Sequence, residues 1–216
     1  MNVAEIFHSV QGEIDVGMNA VFLRLSGCNL ISENRGCKFC DTLYAEQQRF
    51  FITPEDISET LFFTKSSNVV VTGGEPLLQK EDILSLITIL RGSLRERYSF
   101  YLETNGTLWD PKLGYLFKKI SCSPKKQAID SDILNRYARL SNCRFKFVYE
   151  NSSDLWWEQL ISFLGISSES VWIMPEGVTS ETQFMLSSEV IDYCKLKRFN
   201  FSPRLHTLLW GNQRGV

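Results

Sequence analysis

Strand-like and helix-like segments alternate along the chain, and this alternation limits its possible folds more than any other feature. The apolar run AVFLRL at residues 20–25 and the β-branched run NVVVT at 68–72 are typical of strands. Between them, Thr53 is placed to cap a helix that begins at Pro54, with acidic residues in its first turn. Repeated strand–helix units predict an α/β fold with a parallel sheet covered by helices.

The alternation continues to the last residues. Apolar residues between 83 and 90 follow the spacing of one helix face, and Gly92 can end that helix. Further strands are predicted at 99–103, 119–123, 144–149, 171–174 and 199–202, and further helices at 152–164 and 180–197. Since no internal repeat, low-complexity tract or linker interrupts the pattern, we expect a single domain spanning 1–216.

Segments suited to ligand binding fall where the predicted strands end. They read SGC, TGGEP, ETNG, CSPK, YEN, MPEG and SPRLH in chain order. In parallel barrels, the loops at the carboxyl ends of the strands form one rim that carries the chemistry. We therefore expect these segments to meet around one site.

The composition argues against several classes of partner. The formal net charge is −2 and the pI about 5.8, so the chain lacks the basic field that non-specific nucleic-acid binding needs. No run approaches the ~18 apolar residues of a membrane span, and the amino terminus does not resemble a secretory signal. We expect a reducing, cytoplasmic setting, with Cys122, Cys143 and Cys194 as buried core residues.

Three further cysteines, Cys28, Cys37 and Cys40, follow the first predicted strand closely. Three thiolates can hold three corners of a four-iron, four-sulfur cluster and leave the fourth iron open to a ligand. Structural zinc is the main alternative, with His8 or Cys122 as its fourth ligand, and a redox-active Cys-x-x-Cys pair is another. The spacing alone leaves these interpretations open.

The second informative segment is VTGGEP at residues 71–76. Gly73 and Gly74 would let the backbone approach a ligand closely, and Glu75 could bind a ligand ammonium group. An ordinary turn is the alternative. The segment gains its meaning from the cysteines that precede it.

Together, the cysteine trio and GGEP resemble the radical S-adenosylmethionine (SAM) superfamily. The chain resembles one family within it, the 7-carboxy-7-deazaguanine synthases, almost from end to end. This resemblance rests on EIFHSVQGE at 5–13, on 20–28, and on CDT, TGGEPLLQ, ETNGT, SPK and the final LHTLLWGNQRGV. Three features depart from the usual family pattern. The gap between Cys28 and Cys37 is longer, Ile14 stands where the family usually has glycine, and Met174 stands where many relatives have glutamine.

The resemblance implies an incomplete (β/α) TIM-type barrel of about six parallel strands, with a [4Fe-4S] cluster at its mouth. It implies a lyase that converts 6-carboxy-5,6,7,8-tetrahydropterin to 7-carboxy-7-deazaguanine, with loss of ammonia, in queuosine and deazapurine biosynthesis. A 5′-deoxyadenosyl radical formed from SAM would remove the hydrogen atom, and SAM would be regenerated. Mg²⁺, a homodimer and an electron donor such as flavodoxin are further expectations.

The family's site residues carry over position by position. The implied substrate contacts are Val10, Gln11, Gly12, Glu13, Arg24, Thr72, His206 and the carboxylate of Val216. The implied SAM contacts are Phe39, Asp41, Gly74, Glu75, Ser123, Pro124, Lys125, Met174, Pro175, Glu176 and Gly177. The implied metal ligands are Cys28, Cys37 and Cys40 for the cluster and Thr42 for Mg²⁺.

Some of these residues also have a physical interpretation of their own. Arg24 is a cation within an apolar strand, so it needs an acidic partner, which is either a substrate carboxylate or a protein salt bridge. Thr42 could instead cap a helix. His206, one of only two histidines, could be structural or could contact substrate.

Two other functions remain open at this stage. An activase that forms a glycyl radical on a partner protein would also carry the cysteine trio and GGEP, but it should lack the QGE motif. A zinc-stapled binding module would use the cysteines without any redox chemistry.

Overall fold

Nine β-strands form one sheet in the computed structural model, which describes residues 1–38, 40–64, 66–92, 98–211 and 213–216. The strands are β1 (Asn2–Val10), β2 (Asn19–Leu25), β3 (Phe50–Phe51), β4 (Asn68–Gly73), β5 (Ser99–Thr104), β6 (Lys119–Cys122), β7 (Cys143–Tyr149), β8 (Val171–Pro175) and β9 (Asn200–Phe201). Their spatial order is β3-β1-β2-β4-β5-β6-β7-β8-β9. From β2 to β9 all neighbours are parallel, whereas β1 and β3 are antiparallel additions at one edge.

The sheet is open, because β3 and β9 lie at opposite ends of the strand order and do not pair. Six of its parallel strands have four or more residues, and β9 adds two residues. This architecture confirms the expected incomplete barrel and the α/β class. All seven predicted strands are present, with bounds that differ by one or two residues.

Helices fill the connections between the strands. In the described residues they are α1 (Asn29–Ser32), α2 (Tyr44–Gln47), α3 (Pro54–Phe62), α4 (Lys80–Gly92), α5 (Leu113–Leu116), α6 (Ser131–Ala138), α7 (Trp157–Leu164), α8 (Ser180–Lys197) and α9 (Leu205–Trp210). Thr53 caps α3 by accepting a hydrogen bond from the Asp56 amide at 3.1 Å, as predicted. None of the described helices is long and apolar enough to cross a membrane.

Several elements of the structure were not predicted from the sequence. In β1, Glu5 and His8 interrupt the apolar pattern. The elements β3, α1, α2, α5 and α9 are too short for a periodic pattern, and α6, which begins after an Asp130 cap, was also not predicted. The helix predicted at 152–164 begins five residues later, at Trp157, because the Asn151 side chain accepts the Ser153 amide at 3.0 Å and forms a turn there.

The two faces of the sheet have different surroundings. On one face, alternate strand residues such as Leu23 and Val71 pack with Ile57 and Leu86 of the helices in a large apolar core. That core includes Cys122, Cys143 and Cys194, as predicted. On the other face, only a small apolar cluster around Phe22 is present. Around this cluster, the second face carries charged side chains such as Arg24, Glu103 and Lys146, together with Val148 and Met174.

Candidate active site

The concave face of the open sheet borders a cavity of about 280 Å³. Its wall combines strand residues with loops that follow β1, β2, β4, β5, β6, β8 and β9. The predicted meeting of strand-end segments therefore holds for six of the seven segments, and the chain after β1 joins them. The YEN segment after β7 does not line this cavity.

Three cysteine thiols lie on the cavity wall. Cys28 follows β2 directly and precedes α1, and Cys37 and Cys40 lie on the loop after α1. All three are free and half-buried. Burial raises the pKa of the Cys28 and Cys37 thiols. The Cys28 amide donates to the Glu46 carboxylate at 2.9 Å, which holds the start of this loop.

The zinc alternative finds no support in this geometry. The ring of His8 contacts the Asn19 side chain at 3.0 Å, Cys122 is fully buried, and neither lines the cavity. In the described residues, no three His, Cys, Asp or Glu side chains are grouped closely enough for one metal ion. Three thiols spaced around one cavity fit a larger group with an open corner.

The glycine pair after β4 packs directly against the cysteine loop. The Gly74 amide donates to Leu25 O at 3.2 Å, and the Glu75 amide donates to Gly27 O at 2.8 Å. A Cβ atom at Gly74 would lie 2.1 Å from Gly27 O and 2.9 Å from the Cys28 Cβ. Only glycine can bring the backbone this close to Cys28.

Glu75 has a different place from the one expected. Its side chain is fully buried and is absent from the cavity wall. It accepts hydrogen bonds from Thr104 Oγ1 at 2.9 and 3.0 Å, from the Asn105 amide at 2.7 Å and from the Leu77 amide at 3.1 Å. Burial raises its pKa to about 7, while these donors oppose that shift. Glu75 therefore ties the end of β4 to the end of β5.

A second polar cluster, centred on Glu103 of β5, lies on the cavity wall. Glu103 accepts from Gln11 Nε2 at 3.0 Å and from Thr72 Oγ1 at 2.7 Å. Gln11 in turn accepts the Gly12 and Glu13 amides, at 2.8 and 3.2 Å. These contacts fix the chain after β1 against the middle of the sheet.

Arg24 is ion-paired within the protein. Its Nε donates to Glu5 at 2.8 Å, and the Tyr44 hydroxyl donates to the same carboxylate oxygen. Arg24 also lies 5.7 Å from the centre of the Phe7 ring. Its terminal nitrogens make no hydrogen bond with the described residues, and Arg24 lines the cavity. Both interpretations of Arg24 are therefore compatible: one edge is paired and the other remains available.

Glu13 lies within a group of cations. It pairs with Lys146 of β7 and lies 3.8 Å from Arg204. Burial alone would raise the pKa of Glu13, but the charges of Lys146 and Arg204 outweigh it and lower the pKa. The Glu13 carboxylate is thus held ionised by protein partners.

His206 packs against the glycine of the QGE segment. A Cβ atom at Gly12 would lie 2.2 Å from His206 Nδ1, and the Leu205 amide donates to Gly12 O at 2.8 Å. Burial lowers the pKa of His206, so its ring is held neutral. A residue larger than glycine at position 12 would displace this histidine.

Two further loops complete the wall. Lys125 donates to Ser123 Oγ at 2.8 Å and has no carboxylate partner within 4.0 Å among the described residues. Burial lowers the pKa of Lys125. After β8, Gln183 of α8 donates to Pro175 O at 2.8 Å and to Gly177 O at 3.0 Å, which fixes that loop.

Comparisons with known proteins agree with this geometry. The sequence profile described as "Radical SAM superfamily" matches residues 25–137. The 7-carboxy-7-deazaguanine synthase of Pyrobaculum aerophilum is 32% identical over 100% of this chain and 97% of its own length. The chain belongs to the 7-carboxy-7-deazaguanine synthase family. The enzyme of the same name from Hyperthermus butylicus is 35% identical over 97% of this chain and 92% of its own length.

The fold comparison gives the same family architecture. The crystal structure of QueE from Escherichia coli superposes with a TM-score of 0.71, at 22% identity, over 95% of this chain and 94% of that one. As a member of the 7-carboxy-7-deazaguanine synthase family, the chain is a radical SAM lyase that uses a [4Fe-4S] cluster and SAM. The glycyl-radical activase and zinc-module alternatives are not favoured.

Most of the family positions named from the sequence line the cavity. They are Val10, Gln11, Gly12, Glu13, Arg24, Cys28, Cys37, Cys40, Asp41, Thr42, Thr72, Gly74, Ser123, Lys125, Met174, Pro175, Glu176, Gly177, His206 and Val216. Glu75 and Pro124 are not part of its wall. Phe39 lies outside the described residues.

Six charged residues of the wall were missed by sequence reasoning, among them Arg214 and Glu46, which accepts the Cys28 amide. Glu5, Glu103, Lys146 and Arg204 each pair with a predicted site residue. A signal was present for Glu103 and Lys146, because each is a charged residue inside a buried strand, in SFYLET and CRFKFVY. Glu5 and Arg204 had no comparable signal, since their surroundings come from other parts of the chain.

Proposed function

We propose that this chain, acting as one domain over 1–216, converts 6-carboxy-5,6,7,8-tetrahydropterin to 7-carboxy-7-deazaguanine and ammonia. One observation carries the proposal: a single cavity joins three free thiols to a polar wall containing Arg24, Gln11 and Glu103. Product and ammonia together contain all the atoms of the substrate, so the reaction needs no net oxidant or reductant.

The substrate carboxylate would bind Arg24. The Glu5 carboxylate holds Nε and so fixes the plane of the guanidinium. The two terminal nitrogens can then donate to both carboxylate oxygens in the bidentate arrangement that suits arginine. This pairing would place the carbon that bears the carboxylate on a fixed side of the cavity. The carboxylate of Val216, which also lines the cavity, would close over the bound substrate.

The aminopyrimidinone edge of the pterin would be bound by the cluster around Glu103. A carboxylate can accept from an amino group and an adjacent ring N–H, and each Glu103 oxygen has capacity beyond the one hydrogen bond it accepts now. The Gln11 amide and Thr72 hydroxyl orient that carboxylate. His206, held neutral by burial, can donate or accept a hydrogen bond at the ring edge.

Cys28, Cys37 and Cys40 would hold the cluster, with SAM on its open iron. When bound, these groups supply a 5′-deoxyadenosyl radical that removes a hydrogen atom from the substrate. The backbone at Gly74 and at Glu176–Gly177 would border SAM, while Ser123 and the buried Lys125 offer donors to its carboxylate. Phe39 and Pro124 remain implied contacts on family grounds.

Thr42 would contribute one hard oxygen ligand to Mg²⁺, which keeps several waters and can share substrate oxygens. Thr42 Oγ1 lies 3.6 Å from Cys40 Sγ, so this metal would sit beside the cluster. Homodimerisation, reduction by a flavodoxin-type donor and a cytoplasmic location complete the proposal on family grounds.

The proposal is tested by anaerobic reconstitution with iron and sulfide, followed by reduction with the pterin, Mg²⁺ and SAM. We expect mass spectrometry to detect the ring-contracted product, with many turnovers for each SAM consumed. Deoxyadenosine released in amounts stoichiometric with SAM, with no ring-contracted product, would overturn the assignment.

Arg24→Ala provides the residue-level prediction. Loss of a bidentate, charge-assisted contact should lower kcat/KM by at least about a hundredfold, while iron and sulfide content stay at the wild-type level. The exposed Arg139→Ala variant is the matched control and should retain wild-type kcat/KM. Normal turnover by Arg24→Ala would remove Arg24 from the substrate site.

A further inference from the structure

Arg204 connects three separate parts of the cavity wall. It precedes α9 and is only 7% exposed. Its Nη1 donates to Gly177 O at 2.7 Å, and its Nη2 donates to the Asp41 carboxylate. Its Nε lies 3.8 Å from Glu13 Oε1. One guanidinium therefore meets the loop after β8, the residue after the last cluster cysteine, and the QGE segment.

The third of these contacts is incomplete. A distance of 3.8 Å is too long for a hydrogen bond, and Arg204 Nε is a buried donor with no hydrogen-bond partner in the described part of the chain. A buried N–H without a partner is unfavourable, because it has lost its hydrogen bonds to water without replacing them. Arg204 lines the cavity, and a small movement of the Glu13 side towards Nε would satisfy this donor.

We propose that Arg204 is a positioning residue that couples the binding of SAM to the binding of the pterin, an inference that rests on the proposed function. Gly177 and Asp41 lie on the side assigned to SAM, and Glu13 lies on the side assigned to substrate. Ligand on the first side would fix Gly177 and Asp41, and with them the guanidinium that Nη1 and Nη2 hold to these two residues. The ordered guanidinium then presents Nε to the second side, so each ligand strengthens the binding of the other.

Arginine is suited to this position because its five N–H donors are fixed in one plane. Lysine has a single nitrogen and glutamine has a shorter, neutral side chain, so neither can meet three partners at once. Two other cations lie nearby: Lys146 pairs with Glu13 but with no cofactor-side residue among those described, and Lys125 donates to Ser123 and has no carboxylate partner among them. Arg204 is thus the residue whose change should remove coupling while leaving both subsites in place.

The test measures the SAM dissociation constant by equilibrium dialysis of the cluster-loaded enzyme, with and without saturating pterin and Mg²⁺. Reductant is omitted, so no turnover occurs. In the wild type we expect the pterin to lower the dissociation constant at least about fivefold. In Arg204→Gln the ratio should fall towards one, and in the exposed control Arg139→Gln it should equal the wild-type value.

Arg204→Lys keeps the charge, and it carries the test if Arg204→Gln does not fold. An unchanged coupling ratio in a folded Arg204 variant, or a ratio of one in the wild type, would overturn the inference. Product formation by the wild type would leave the proposed function standing in either case. A wild type that binds no pterin would overturn both.

Discussion

Glu75 shows how one buried carboxylate can organise a site without lining it. All the groups around its oxygens are donors: two backbone amides and the Thr104 hydroxyl. Asn105 extends the tie, because its side chain donates to Asn29 Oδ1 at 3.0 Å, next to Cys28. Glu75 therefore acts on the cluster loop through the ends of β4 and β5.

Glu75→Gln is expected to destabilise the protein although it preserves size. One carboxylate oxygen becomes an NH₂ group, which would face a backbone N–H and leave that buried donor unsatisfied. We expect the free energy of unfolding to fall by about 1–3 kcal/mol, measured by urea denaturation of the cluster-free protein.

The exposed Glu59→Gln variant is the control for this measurement and should remain within about 0.5 kcal/mol of the wild type. An equally small change in Glu75→Gln would show that the carboxylate is not required by its donors.

Glu13 should make the free energy of unfolding depend on pH in the acidic range. Folding lowers the pKa of Glu13 below its ordinary value of 4.5. When the pH falls below that ordinary value, the unfolded chain therefore binds more protons than the folded protein. Its stabilising contribution is therefore complete above about pH 4.5 and is lost as the pH falls further.

Glu13→Gln should measure this contribution. Leaving Lys146 buried without its partner is expected to cost about 3 kcal/mol at pH 7. The gap in unfolding free energy between wild type and variant should shrink as the pH falls from 5 to 3. A gap that stays constant across these pH values would contradict an ionised Glu13 in the fold.

At the scale of elements, the GGEP loop packs closely on the loop after β2, which carries Cys28. A methyl group at Gly74 would collide with the backbone oxygen of Gly27, which cannot move without shifting Cys28. Gly74→Ala should therefore reduce iron and sulfide bound after reconstitution by more than half, while the far-ultraviolet circular dichroism stays close to the wild type.

Gly92→Ala offers a matched change at the end of α4, because, apart from its chain neighbours and its own helix backbone, no atom of the described residues lies within 4 Å of an added Cβ there. It should load iron fully. Equal loading of both variants would mean that the two loops can separate without harm to the cluster site.

Much of the element plan was predictable from the sequence. Parallel strands such as β4 are continuous apolar runs, and the capped starts of α3 and α8 carry local signals that tertiary contacts do not alter. β1 was missed because it faces the cavity at Glu5 and solvent at His8, so its pattern is not that of a buried strand.

The same distinction between local and long-range signals applies to the residues of the site. Residues that local spacing marks, such as Cys37 and Cys40, were predicted from the sequence and line the cavity. Residues whose role depends on a partner far along the chain were not predicted: Arg204 meets Asp41 across 163 positions. Such contacts follow from the fold and cannot be inferred from neighbouring residues.

For the molecule as a whole, the open sheet leaves a gap between its edges, β3 and β9. Beyond β9, residues 204, 206, 207, 211 and 213–216 contribute to the cavity wall. Among them, Arg214 reaches the side of β2, where it stacks 3.6 Å from the Tyr44 ring centre. Side chains from opposite ends of the sequence therefore enclose a space that a closed barrel would fill with its own core.

The placement of the six cysteines also offers a way to measure which fraction of a preparation carries the iron–sulfur group. Three thiols reach the cavity and three are enclosed by the core. At pH 8 a chromogenic disulfide reagent should label three thiols quickly in the cluster-free protein and the remaining three only in denaturant. Assembly of the iron–sulfur group should block the quick phase, so colour alone would report the loaded fraction of a preparation; six quick thiols would contradict this division.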